Sequence, residues 1–126
     1  WTLSRGLGDV YKRQVWHSQF SQEKKKHPHE LVIDLGQTRT INGFYYLARQ
    51  DKGWNGTFGK TEFYVSDNAD HFPEEPYVRC MFKKEKQAQR VKGDKISCRY
   101  VLVRNISEVA DNDFGSAADI AVVLAK

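Results

Sequence analysis

Past residue 14 the chain alternates apolar and polar residues in short runs, separated by clusters of turn-forming residues. Residues 30–35 set Leu31, Ile33 and Leu35 against Glu30, Val32 and Asp34. Residues 40–48 are rich in Ile, Phe and Tyr, and residues 62–66 alternate Phe63 and Val65 with Tyr64. Residues 77–82, a weaker 87–91, 99–104 and 119–124 repeat the pattern. A period of two places alternate side chains on opposite faces, so each run predicts a strand. Gly36-Gln37, residues 51–59, residues 67–70, Gly93-Asp94 and residues 110–115 are the predicted turns. No segment carries a sustained helical period, and residues 107–110 predict at most one short helical turn. Short strands at this spacing predict one all-β domain, an antiparallel sandwich or barrel.

The chain has 126 residues, 40% hydrophobic and 13% aromatic, enough for a single domain with a core. No apolar run approaches the length that spans a bilayer, and the start lacks the order of a secretory leader. Asp9-Val10-Tyr11-Lys12-Arg13-Gln14 resembles the translation of a transposon mosaic end used in sequencing-library adapters. Residues 1–14 are therefore read as a foreign, adapter-derived segment, and residues 15–126 as the domain, a metagenomic fragment. That segment holds Arg5, Lys12 and Arg13 against Asp9, so it carries +2 of the formal net charge of +4. The basic balance is then weak support for a nucleic-acid partner, and none is expected. Lys24-Lys25-Lys26 and the interrupted Lys83-Lys84-Glu85-Lys86 lack interleaved aromatics and read as solvated loops.

Two cysteines, Cys80 and Cys98, exclude a disulfide scaffold. They pair if their strands are neighbours; buried free thiols are the other reading. Neither has metal-ligand spacing, and His27-Pro28-His29 has no third ligand at a useful distance in sequence. There is no nucleophile elbow, zinc signature, phosphate loop or assignable carboxylate pair, so the chain is expected not to be an enzyme.

Several short blocks resemble one family. Trp16-His17-Ser18-Gln19-Phe20 comes first, then Pro28-His29-Glu30-Leu31-Val32-Ile33-Asp34-Leu35-Gly36, then Tyr46-Leu47-Ala48-Arg49-Gln50-Asp51. Lys60-Thr61-Glu62-Phe63-Tyr64-Val65-Ser66, Arg99-Tyr100-Val101-Leu102-Val103-Arg104 and Ser116-Ala117-Ala118-Asp119-Ile120 follow in order. In order and spacing they resemble the coagulation-factor type C (discoidin) superfamily, and within it the galactose-binding carbohydrate modules of family 32. The resemblance implies a jelly-roll β-sandwich over residues 15–126, with the N-terminal strand missing or replaced. It also implies a non-catalytic module for terminal galactose or N-acetylgalactosamine, fused in the parent protein to a secreted, periplasmic or cell-surface bacterial glycoside hydrolase.

A sugar site needs an apolar surface for the C–H face of the ring and fixed polar groups at its hydroxyls. By resemblance, His17 bonds the axial hydroxyl and Phe20 is the stacking platform, often Trp in the family. Arg49 forks to neighbouring ring oxygens, a role its planar guanidinium suits. Asn55 matches a loop asparagine, Trp54 offers a second wall, and Phe114 matches an aromatic before the closing strand. Family members often hold a structural calcium, and Asp119 with the Ala118 carbonyl matches part of such a site. One carboxylate is too few for calcium, and the early acidic loop falls where residues 1–14 stand. Two other readings stay open: an adhesion module binding protein or phospholipid through Trp54 and Phe58, or a spacer with a degenerate site.

Overall fold

A computed structural model describes residues 15–20, 29–48, 58–107 and 118–125, with backbone alone for 15–20, 29 and 118. Among them six strands form: β1 (Val15–Phe20), β2 (His29–Leu47), β3 (Lys60–Ser66), β4 (Val78–Met81), β5 (Gln89–Asn105) and β6 (Ala118–Leu124). Every pairing is antiparallel, in the order β1-β6-β2-β5-β3-β4. No helix occurs among the described residues, and none is therefore long and apolar enough to cross a membrane.

Two long strands turn this single hydrogen-bonded order into two layers. The first part of β2 pairs with the last part of β5, from His29↔Asn105 to Asp34↔Tyr100. Its second part pairs with the beginning of β5, from Arg39↔Cys98 to Tyr46↔Gln89. β6 and β1 continue from the second part of β2, whereas β3 and β4 continue from the last part of β5. The layers meet through aromatic rings. Phe44 of β2 stacks on Phe63 of β3 at 4.0 Å, and Tyr46 stacks on Phe82 at 4.4 Å. All four rings are buried, and each removes apolar surface worth roughly 1.5–3 kcal/mol. This is the antiparallel all-β sandwich that the alternation predicts.

Two predicted turns, at Gly36 and Gly93, prove to lie within strands, and a further bend falls at Gly43 inside a predicted strand. At Gly36 the chain takes φ 84°, and the Gly36 N–H donates to Asp34 Oδ1 at 2.8 Å. Pairing with β5 resumes at Arg39, so the predicted strands 30–35 and 40–48 are one continuous β2. A second irregularity lies between Ile41 and Phe44. Before it Ile33, Leu35 and Ile41 are buried; after it Phe44, Tyr46 and Ala48 are. The buried set thus changes parity once, which the bulge accomplishes by adding a residue against β6. Gly43 sits there at φ 141°, and a Cβ on it would land on the Val91 carbonyl and the Arg90 guanidinium. Gly93 is likewise inside β5: the Tyr77 ring occupies the place its Cβ would take.

The outer face of β3 is also closed. Glu62 is buried, accepting from Tyr64 Oη–H at 2.9 Å and Arg79 Nε–H at 3.0 Å. Burial raises its pKa, but the bonds from Arg79 and Tyr64 outweigh that and hold it below its ordinary value. Both cysteines are free thiols. Burial pushes Cys80 up to about 12 and, with the nearby Asp67 charge, Cys98 up to about 11.

Candidate functional site

The strand ends converge. Phe20, the last residue of β1, pairs with Ala118, the first of β6. Asp119 pairs with Gln19 on one side and with Leu47, the last residue of β2, on the other. His29 and Thr61 both pair with Asn105 at the close of β5. The chain therefore leaves and re-enters the described residues around 21–28, 49–57 and 108–117 at one end of the sandwich. Loops carried on such a rigid end are where binding residues concentrate.

A compact clamp organises this end. Phe58 N–H donates to Tyr46 Oη at 2.9 Å, and the two rings stack at 4.9 Å. Gly59 N–H donates to the Ser107 carbonyl at 2.7 Å, and the Gly59 carbonyl accepts from Phe82 N–H at 3.0 Å. Ile106 N–H donates to the Lys60 carbonyl at 2.8 Å. These bonds tie the ends of β2, β4 and β5 to the start of β3. Tyr46 is fully buried, and that burial raises its phenol far above the ordinary value, so it stays protonated.

His17 and Phe20 lie in β1, a strand that the polar composition of residues 16–20 hides from pattern reading. The His17 backbone pairs with Ala121 and that of Phe20 with Ala118. The neighbouring strand end, Leu47 with Ala48, leads directly to Arg49. Arg49, Trp54, Asn55 and Phe114 themselves lie outside the described residues, as do residues 1–14 and 108–110. Ala118 and Asp119 open β6, and the Asp119 side chain is buried at 6% exposure. Among the described residues no group of three or more His, Cys, Asp or Glu is placed to hold a metal.

Pattern reading missed Tyr46 and Phe58 as the clamp; the only signal was two aromatics flanking a Gly-rich stretch.

Comparison with known proteins agrees with this geometry. A sialidase from Micromonospora viridifaciens is 28% identical over 108 residues, covering 85% of this chain. The chain spans only 16% of that relative's length. Among solved structures, CpGH89CBM32-5 from Clostridium perfringens, in complex with GalNAc-beta-1,3-galactose, superposes with a TM-score of 0.68 at 22% identity. The match covers 88% of this chain and 75% of that one. The family 32 CBM from C. perfringens NanJ, in complex with galactose, gives 0.62 at 17% identity, covering 90% and 96%. At these identities the structures show a shared fold, that of family 32 carbohydrate-binding modules. The model of the F5/8 type C domain matches residues 7–120, starting inside the segment read as foreign. With its sequence match spanning most of the chain, this chain belongs to the F5/8 type C domain family.

Proposed function

We propose that the domain is a non-catalytic carbohydrate-binding module for terminal galactose or N-acetylgalactosamine, carried by a larger secreted or cell-surface glycan-processing enzyme. The observation that carries the reading is the convergence of strand ends. The strand bearing His17 and Phe20 runs beside Asp119, and Asp119 runs beside the strand that continues into Arg49. Two solved relatives of the same fold are complexes with galactose-containing ligands. His17 selects the axial hydroxyl, Arg49 forks to the ring oxygens, Phe20 stacks on the apolar face, and Trp54, Asn55 and Phe114 complete the walls. A buried polar group left unpaired by the wrong epimer is what gives such a site its selectivity.

Asp119 and the Ala118 carbonyl fit one corner of a structural calcium site, and calcium takes six to eight oxygens. The remaining ligands would come from residues outside the described set, and calcium would brace the start of β6. A single monosaccharide site of this kind binds at roughly millimolar strength, about 4 kcal/mol. Linkage to an enzyme makes that sufficient by raising local concentration on a glycan surface.

Calorimetric titration with galactose and glucose tests the reading. Galactose should bind at least tenfold more tightly, and His17→Ala should remove the preference. Equal affinity for both epimers in the wild type would contradict it.

A further inference from the structure

We propose, resting on the galactose reading, that Arg90 is a positioning residue for that site. It staples the bulge in β2 and so fixes the register in which the strand leading to Arg49 runs beside β6. Arg90 lies on β5 opposite Tyr45 and is assigned no contact with the sugar.

The bulge interrupts both ladders. Asn42 has no register partner in β5 or β6, and Gly43 has none in β6. A carbonyl that the ladder leaves out needs a donor from elsewhere. Arg90 Nη2 donates to the Asn42 carbonyl at 3.2 Å, and Nη1 donates to the carbonyls of Phe44 at 3.4 Å and Val91 at 2.7 Å. One planar guanidinium thus spans Gly43 and ties the carbonyl on each side of it to β5. A Cβ on Gly43 would fall on Arg90 Nη1, so only glycine leaves room for the staple. The Tyr45 ring, its centroid 5.3 Å from the guanidinium carbon, holds the cation over its face. The bulge also carries a cost that the staple offsets: Asn42 Oδ1 is buried with no hydrogen-bond partner among the described residues.

Past the bulge Phe44, Tyr46 and Ala48 enter the main core, while Leu47 and Ala121 form a second, smaller cluster with Tyr45 and Ala88. Alternation places that cluster on the outer face of the layer, where Arg90 stacks on Tyr45. In this register Leu47 pairs with Asp119 and Tyr45 with Ala121, and Ala121 pairs in turn with His17. A slip of one residue in β2 would exchange its two faces and change which of its residues meets Asp119. Arg49 follows Leu47 by two positions, so the same slip would put it out of step with His17. Arg90 therefore acts on the site through the strand and not through the ligand.

Two variants of the full chain test this: Arg90→Met, which keeps the stem and removes every donor, and Arg90→Lys, which keeps the charge but cannot span Gly43. Amide hydrogen exchange reads the staple without any ligand. In both variants residues 44–47 and 119–122 should exchange at least tenfold faster relative to residues 62–65. Galactose titration, followed in 15N–1H correlation spectra, should show affinity at least fivefold weaker in both. Val101→Ala separates positioning from stability, because Val101 is fully buried between Ile33 and Val65 in the other layer. It should lower the urea midpoint at least as far as Arg90→Met does, with galactose affinity as in the wild type. Unchanged exchange in Arg90→Met, full galactose affinity in either Arg90 variant, or an equal affinity loss in Val101→Ala would overturn the proposal. A wild type that binds no galactose would sink the galactose reading, and the role in binding with it, while exchange still decides whether Arg90 holds the register.

Discussion

Tyr46→Phe isolates the bond on which the strand-end clamp depends. The substitution deletes one oxygen and no carbon, so stacking on Phe58 at 4.9 Å and on Phe82 at 4.4 Å is retained. What is lost is the acceptor of the Phe58 N–H, in a place where both residues are fully buried. Leaving such a donor without a partner costs about 1–3 kcal/mol. For a domain of this size that is a fall in Tm of roughly 5–15 °C. Urea unfolding reads the change as a lower midpoint at unchanged slope, since the same surface is exposed. The matched control is Tyr100→Phe, whose hydroxyl has no hydrogen-bond partner among the described residues and whose loss should cost less than about 0.5 kcal/mol. Phe58 directly follows the segment that carries Arg49, Trp54 and Asn55, so glycan affinity should fall with the clamp. A Tyr46→Phe midpoint equal to that of Tyr100→Phe would refute the reasoning.

Other substitutions test the frame around it. Gly43→Ala combines a positive φ with a clash against the Val91 carbonyl and should cost roughly 2–6 kcal/mol, whereas Gly36→Ala, in open space, should cost about 1–2. Equal urea midpoints for the two would contradict the bulge account. Glu62 has a folded pKa below its ordinary 4.5, so its contribution is complete above that value and is lost as pH falls through the lower, folded one. The urea midpoint should therefore drop below about pH 4.5, and Glu62→Gln should flatten that drop; an unchanged acid limb would speak against the Arg79 and Tyr64 bonds. Cys80 and Cys98, with pKa values pushed up to about 12 and about 11, should resist a thiol reagent at pH 8 until the chain is unfolded. Rapid labelling of the native protein would show that burial does not protect them.

The alternation of Leu31, Ile33 and Leu35 carried the fold class plainly, because a half-buried strand writes its burial into the sequence with a period of two. What it concealed was continuity. Gly36 and Gly93 read as turns and Gly43 gave no signal inside its predicted strand, yet each lies inside a strand that crosses between layers or admits a neighbouring ring. A glycine supplies a backbone shape, and only tertiary pairing decides whether that shape ends a strand or bends it. β1 was hidden for a different reason: Trp16, His17, Ser18 and Gln19 carry no alternation, and the strand exists through its ladder with β6. The proposed binding residues were legible only through resemblance, since one histidine and one arginine 32 positions apart form no local motif.

The central claim is that one end of this sandwich binds galactose-type sugars through His17 and Arg49. A glycan array probed with the wild type, His17→Ala and Arg49→Ala, each verified as folded by its urea transition, tests it most directly. The account predicts binding to glycans ending in galactose or N-acetylgalactosamine, lost in both variants. A folded wild type that binds none of them, or binding that survives both substitutions, would contradict it.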